Sequence, residues 1–305
     1  PRVPATWEDA RMALTVHLVD GTYELFRYHF GAPSHLTATG QEVAATRGVV
    51  ASILTMLEDG ATHLAVATDH VIPSFRNDLY AGYKDGAEID PELFSQFGLV
   101  EDALRALGVP VFAMVEYEAD DALGAAARIA AADDRVERVL ICTPDKDLGQ
   151  CVGGKVFQFD RRKEQLIGVD EVIEKFGVGP ASIPDYLGLV GDTADGFPGL
   201  PGWGAKSAAA VLARYEHLEH IPRDSHDWDI TIRSASKLAM TLHHQRDEAF
   251  LFREIATLAY EAPTIESVDE LAWTGPAADL PELAAAIDAP YLVARAERLA
   301  AARAG

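Results

Sequence analysis

Cysteine is nearly absent. Cys142 and Cys151 are the only two in 305 residues, so no disulfide framework holds this fold, and a reducing cytoplasm is the expected compartment. No apolar run approaches the ~18–20 residues of a membrane span, so no membrane partner is expected. Cys and His are also missing at zinc-ligand spacing around the acids described below, which disfavours zinc. Basic residues are scarce too: 26 Lys and Arg stand against 48 Asp and Glu, a net charge of -22. Averaged over the molecule, a field of that sign opposes the approach of phosphate-bearing partners. Core material is plentiful, with 49% hydrophobic residues. That share, at this length, supports one large domain or two ordinary ones and excludes global disorder. No internal repeat or low-complexity tract is present.

Three short, branched apolar runs lack period-2 alternation and read as buried parallel strands: Ala13–Val19, His63–Thr68 and Arg138–Thr143. Helical periodicity separates them over Arg47–Leu57, Pro91–Leu107 and Ala119–Ala132. The alternation predicts an α/β core with a mainly parallel sheet. After Asp160 the pattern turns helical, over Val169–Phe176, Ser182–Val190, Ala205–Tyr215 and a long stretch Ile230–Leu258. Two short helices at about Pro281–Ile287 and Pro290–Ala302 close the sequence.

Each strand runs into aspartate: Leu18-Val19-Asp20, Ala67-Thr68-Asp69 and Thr143-Pro144-Asp145-Lys146-Asp147. In a parallel sheet these ends share one edge, where α/β folds place ligands. Glu118-Ala119-Asp120-Asp121 opens a helix, and Asp192 and Asp195 flank a turn. Each cluster taken alone also fits a turn residue, a cap or a first-turn charge. Their conjunction predicts nine carboxylates in one crevice, where mutual repulsion calls for hard divalent cations such as Mg²⁺ or Mn²⁺.

A second feature is Pro198-Gly199-Leu200-Pro201-Gly202-Trp203-Gly204-Ala205-Lys206, a turn entering an Ala-rich helix. Its glycines allow close backbone approach, and the helix start offers free N–H groups to a phosphate. An ordinary helix connection fits the same residues. Trp203 reads as packed between helices rather than stacked on a base.

The ordered string of motifs resembles the 5′-nuclease, or flap endonuclease, family, in particular the bacterial 5′–3′ exonuclease domain found at the N-terminus of DNA polymerase I. Its hallmarks stand as Leu18-Val19-Asp20-Gly21, Ala67-Thr68-Asp69, Phe75-Arg76…Tyr80…Tyr83-Lys84, Glu118-Ala119-Asp120-Asp121, Asp145-Lys146-Asp147-Leu148 and Asp185-Tyr186-Leu187-Gly188-Leu189-Val190-Gly191-Asp192…Asp195…Pro198-Gly199…Gly202…Gly204…Lys206. The match runs in order from about residue 13 to 260. The sequence ends where a polymerase would begin, so a stand-alone nuclease is expected.

The resemblance implies a PIN-like, mainly parallel sheet flanked by helices, with a helical arch and a helix–three-turn–helix. Its domains would be residues 10–172 (arch about 84–108), a DNA-binding subdomain over 173–260, and a tail over 261–305 packing on the core. It implies two Mg²⁺ or Mn²⁺ ions, three in some members. Asp20, Asp69, Glu118 and Asp120 would serve the first; Asp145, Asp147, Asp192 and Asp195 would serve the second, with Asp121 in support. Lys84 and Arg76 would offset charge on the scissile phosphate. Gly199, Gly202, Gly204, Lys206 and Lys237 would track the DNA backbone, helped by some of Arg233, Arg246 and Arg253, with K⁺ at the hairpin.

The implied activity is cleavage of 5′ flaps and 5′ ends of DNA, leaving 5′-phosphate and 3′-hydroxyl, with RNA–DNA hybrids as a further substrate. The implied setting is replication and repair in a bacterial, nucleoid-associated cytoplasm, as a monomer beside a separate polymerase and ligase. Three departures stand out: Ala87 where an arch arginine is frequent, Pro144 in place of glycine, and Gly196-Phe197 in place of Asn-Ile. A metal-dependent phosphatase of small phosphoesters and a non-catalytic DNA-binding module remain as alternatives.

Overall fold

The computed structural model describes residues 13–304; residues 10–12 of the first expected domain and residue 305 of the tail lie outside them. Six strands form one sheet: β1 (Leu14–Asp20), β2 (His63–Asp69), β3 (Val111–Met114), β4 (Val136–Cys142), β5 (Val156–Asp160) and β6 (Gln165–Ile167). Their order is β3-β2-β1-β4-β5-β6, parallel except for the β5–β6 hairpin. The direction of winding reverses beside β1, the switch point where such sheets leave a crevice. β3, β5 and β6 are additions to the three-strand expectation. β5 alternates buried and half-buried residues instead of forming a solid apolar run.

Thirteen α-helices are formed among the described residues. Those of the first half are α1 (Gly21–Gly31), α2 (Ala44–Glu58), α3 (Arg76–Leu79), α4 (Pro91–Phe94), α5 (Phe97–Ala106) and α6 (Ala119–Ala132). The remainder are α7 (Val169–Phe176), α8 (Ile183–Val190), α9 (Ala205–Tyr215), α10 (Ala235–His244), α11 (Arg246–Ala256), α12 (Leu280–Ala286) and α13 (Tyr291–Ala304). One sheet face is covered by α1, α2 and α5, onto which α12 and α13 pack. The other carries α6 and the segment around Leu258–Leu271. A separate apolar cluster holds α7 to α11 together. Among the described residues, no helix is long and apolar enough to cross a membrane.

Two expected single helices are broken. The stretch 230–258 divides at Gln245, where His243 and His244 end α10 and Asp247 and Glu248 begin α11. Those charges suit a C-terminus followed at once by an N-terminus. The stretch 91–107 divides at Ser95–Gln96 because the buried Gln96 side chain turns away to accept from the Thr46 N–H at 3.1 Å. It thereby satisfies a free donor in the first turn of α2.

The segment expected as an arch, 84–108, differs from that expectation. Its helical part lies in the core: Leu93, Phe97, Val100, Leu104 and Leu107 are buried against α2 and the α12–α13 pair. The preceding loop, through Asp90, stays at the surface, as do the outward residues of the helices, Phe94 and Asp102 among them. Packing sets the outcome, because five large side chains on one face gain more from burial than from standing in water. Leu104→Ala is expected to cost about 2–5 kcal/mol, read from urea denaturation; a loss below ~1 kcal/mol would show that α5 stands off the core.

Candidate active site

The sheet register brings the strand ends level: Val19 lies opposite Cys142, Asp20 opposite Ala67, and Asp69 opposite Met114. Asp20 both ends β1 and caps α1, accepting from the Tyr23 N–H at 2.8 Å and from the Thr143 hydroxyl at 2.8 Å. This tight turn needs Gly21, whose Cβ would stand 2.5 Å from Val66. Asp69 accepts from the Ala119 N–H at 2.8 Å, while its own N–H donates to Thr22 at 2.9 Å. Glu118 accepts from Ser74 at 3.1 Å and from the Tyr83 hydroxyl at 3.0 Å. Asp145 accepts from the Asp147 N–H at 2.9 Å.

Asp192 and Asp195 arrive from the loop after α8. That loop is tied at its base by Gly191 and Gly199, both at positive φ, where a Cβ on either would overlap the other's backbone. At its tip Gly196 lies so near the Gly82 carbonyl that a Cβ would come within 2.2 Å. The Lys84 N–H donates to the Asp195 carbonyl at 3.0 Å, and Asn77 donates to the Lys84 carbonyl at 3.0 Å. Lys84 therefore stands on a backbone held from both sides. Its side chain is 35% exposed, and the ammonium pairs with Asp195 at 2.9 Å and Glu118 at 3.7 Å. Lys146 pairs with Asp192.

One group of oxygens is close enough to share a cation. Ligand atoms of Asp147, Asp192 and Asp195 all lie within 4.8 Å of one another. Asp147 Oδ1 is buried with no hydrogen-bond partner, a costly state for a carboxylate unless a cation faces it. All-oxygen donors of this kind fit a hard divalent ion.

The acids feel each other. Burial, then the charges of Asp69 and Asp145, raise Asp20 to about 7 despite its two donors. Burial with Asp145 and Asp20 pushes Asp120 well above the usual carboxylate range. Burial with Asp145 and Asp195 does the same to Asp147. Glu118 is raised by burial even though Lys84 and Arg76 oppose the shift. Burial works against the charge of Lys84, but Glu118, Tyr83 and Asp195 more than offset it and hold the ammonium protonated.

Two expected site residues are used otherwise. Arg76, expected at the substrate phosphate, is 2% exposed. It donates through both terminal nitrogens to Asp121 at 2.7 Å, and to the carbonyls of Ile255 at 2.7 Å and Thr257 at 3.0 Å. Asp121 also accepts from the N–H groups of Glu118 and Ala259, which leaves no lone pair for a metal. The pair is a buried strut between α3, α6 and the end of α11. Arg253 is likewise committed, to Asp185 at 3.2 Å and Glu219 at 2.7 Å.

The glycine turn divides in role as well. Gly199 is taken up by the contact with Gly191, whereas Gly202 and Gly204 have open space where a side chain would stand. Lys206, Arg233 and Lys237 are exposed, and Trp203 is buried, donating to the Leu238 carbonyl at 3.3 Å. A cleft of about 670 Å³ runs along Pro198–Trp203. Sequence reasoning assigned no role to Thr143, Ser74 or Thr22, although each hydroxyl lies in or beside a quoted motif.

Comparison with known proteins matches residues 15–177 to the 5′–3′ exonuclease N-terminal resolvase-like domain, and 178–279 to the 5′–3′ exonuclease C-terminal SAM fold. DNA polymerase I of Pseudomonas aeruginosa is 35% identical over 264 residues, 83% of this chain and 28% of that one. The chain thus spans little more than a quarter of that relative's length. A 5′–3′ exonuclease of Aquifex aeolicus is 32% identical over 209 residues, covering 68% of this chain and 72% of that one. The bacteriophage T5 D15 protein co-crystallised with metal ions has a TM-score of 0.64 at 18% identity, over 90% of this chain and 98% of that one. Flap endonuclease-1 of Methanococcus jannaschii has a TM-score of 0.57 at 17% identity, over 96% and 94%. These two share the fold.

The buried strut and the raised acids have measurable consequences. Arg76→Gln strands Asp121 as a buried, unpaired charge and is expected to cost about 3–5 kcal/mol by urea denaturation; a loss under ~1 kcal/mol would show the strut to be idle. In EDTA, folded Asp20 keeps its proton up to about pH 7, whereas the unfolded chain releases it near pH ~4. Stability from this group is therefore complete below pH ~4 and is lost as pH rises through ~7. Asp120, Asp147 and Glu118 act in the same direction, against His17 and His63, whose pKa values burial lowers. The melting temperature of the metal-free protein should fall from about pH 5 to about pH 8, and Mn²⁺ should abolish the fall. A flat metal-free profile would contradict this.

Proposed function

The chain belongs to the 5′–3′ exonuclease family, and from that premise we propose that it is a divalent-metal-dependent 5′-nuclease that cuts flaps and 5′ ends of DNA. The observation that carries the reading is the convergence of eight carboxylates from five segments on one sheet edge, with Asp147 Oδ1 buried and unpartnered. Asp20, Asp69, Glu118 and Asp120 would hold one ion, and Asp145, Asp147, Asp192 and Asp195 a second. Mg²⁺ or Mn²⁺ suits these donors. When bound, a pair of such ions supplies Lewis acidity and a low-pKa water at the phosphodiester.

This chain's own residues do the positioning. Thr143 and the Tyr23 N–H aim Asp20, the Ala119 N–H aims Asp69, and Tyr83 with Ser74 aims Glu118. Lys84, fixed through its backbone and kept protonated by its acidic neighbours, is the cation at the rim that a scissile phosphate would meet. Gly202, Gly204 and the start of α9, with Lys206 and Lys237, offer N–H groups and charge to the duplex backbone. They carry no base-reading group, so the grip positions without specifying sequence. K⁺ at this hairpin, action on RNA–DNA hybrids and work beside a polymerase and ligase in a bacterial cytoplasm belong to the same reading.

A labelled 5′-flap duplex tests it. With Mg²⁺ or Mn²⁺ the products should carry 5′-phosphate and 3′-hydroxyl, and EDTA should abolish them. Asp120→Asn with Asp147→Asn should lower the rate by ~10³-fold or more, about 4 kcal/mol of transition-state stabilisation. Lys84→Ala should cost roughly 10²-fold. Turnover of a simple phosphate ester but not DNA would make the protein a phosphatase instead. Tight flap binding in Mn²⁺ without cleavage would make it a binding module.

A further inference from the structure

A cavity of about 250 Å³ opens on the α1–α2 side of the sheet, beneath the turn that joins β5 to β6. Its walls include Tyr23 and Arg27 of α1, Ser52 of α2, Thr143 after β4, and Arg161 and Arg162 of the turn. None of its lining residues belongs to the helical hairpin at 199–206.

The charge census of this cavity runs against that of the molecule. Its two carboxylates are already satisfied. Glu24 is paired with Arg27, and Asp160 accepts from the N–H groups of Arg162 and Lys163 and pairs with the Lys163 ammonium at 3.2 Å. The arginines of the turn are less committed. Arg161 donates one terminal nitrogen to Ser52 at 2.7 Å, while the other is buried with no hydrogen-bond acceptor, the nearest carboxylate oxygen being that of Glu24 at 3.4 Å. Arg162 is exposed. That nitrogen faces the Glu24 carboxylate in an ion pair that stops short of a hydrogen bond, so Arg161 keeps N–H capacity that a phosphate oxygen or a water would complete.

The position of the cavity ties it to the acidic cluster. Tyr23 and Thr143, the two residues that donate to Asp20, both line it. A ligand seated there therefore lies directly behind the first proposed metal carboxylate. We infer that this cavity is a phosphate subsite, taking a backbone phosphate of a nucleic-acid strand on the far side of Asp20 from the scissile position. The inference rests on the nuclease reading and adds to it a second contact with the substrate, apart from the hairpin.

Arg27, Arg161 and Arg162 set three guanidinium groups against the two carboxylates of the lining, an excess of positive charge that suits a phosphate. A strand, rather than a free anion, is favoured because the cations continue outside the cavity. Arg162 is exposed and the Lys163 side chain is 70% exposed, so the turn offers charge to phosphates on either side of the one enclosed.

The experiment measures flap-duplex affinity of the full chain in Ca²⁺ as a function of salt, for wild type, Arg161→Gln, Arg162→Ala and the double variant. Each single change should weaken binding ~3–10-fold and reduce the slope of log affinity against log salt by about one, and the double change by about two. A double variant with the wild-type slope and affinity, and an unchanged melting temperature, overturns the subsite. If Arg161→Gln fails to fold because Glu24 loses a neighbour, the exposed Arg162→Ala decides by the same slope.

A parallel arm titrates inorganic phosphate at constant ionic strength. A rise in the melting temperature of wild type but not of Arg161→Gln, with strand slopes unchanged in both variants, would assign the cavity to a free anion and overturn the strand. Failure of the parent reading looks different: wild type itself would then neither bind nor cut the flap. Normal wild-type cleavage with an unaltered double variant removes this subsite alone.

Discussion

Mutual repulsion among carboxylates held close together with little water around them is the constraint on which the rest of this structure depends. Two like charges ~5 Å apart at an effective dielectric near 20 repel by roughly 3 kcal/mol, and here eight share one edge. The fold answers locally with whatever positive character a sheet edge can offer. α1 begins immediately after Asp20 and α6 immediately after Glu118, so two helix N-termini aim partial positive charge into the cluster. The Ala119 N–H serves Asp69, Lys84 bridges Glu118 and Asp195, and Lys146 pairs with Asp192. Burial first, and then the charges that remain, make Asp20, Glu118, Asp120 and Asp147 resist ionisation.

The same constraint explains the rigidity of the loops. A carboxylate placed against its neighbours stays there only if its backbone cannot relax away. Gly191 against Gly199, Gly196 against the Gly82 carbonyl, and the Lys84 N–H on the Asp195 carbonyl close the second acidic segment onto the first. The Arg76–Asp121 strut does so from beneath, joining α6 to the end of α11. The helical part of the molecule is thereby fastened to the sheet by a buried ion pair with every lone pair used. An ion pair left half-satisfied in that position would destabilise both parts.

Much of this was legible in the sequence, and the reason is geometric. A parallel strand ending in aspartate fixes where that aspartate lies, because the register of the sheet brings all such ends level. Asp20 and Asp69 were readable for that reason, Asp145 because it follows the end of β4 by three residues, and the α6 acids because capping residues stand at fixed offsets. The pair Asp120 and Asp121 marks the limit. Adjacent residues on a helix point ~100° apart, so one can turn to the crevice and the other to the core. Nothing local says which, and the deciding partner, Arg76, is 45 residues away. The segment 91–107 shows the same limit. Its apolar face was plain, but what covers it comes from α2 and from α12 and α13, distant in the chain, so an arch and a core helix read alike. β5 escaped notice because an alternating strand of five residues leaves a weaker trace than a solid apolar run.

The net charge of -22 then takes on a different meaning. Under the proposed function, eight of the acids form the apparatus of cleavage and two divalent ions return four positive charges to them. The basic side chains divide by environment: Arg76 and Arg253 are spent on internal acids, whereas Lys206, Lys237, Arg162 and Lys163 face water. A polyanion meets a molecule whose net charge opposes it, and at the crevice that opposition falls only once metal is bound. Productive encounter is then conditional on the ion in a way that a basic nuclease would not require. The acidity that opposes nucleic acid on average is thus, at the crevice, the means of holding the ions that would admit it.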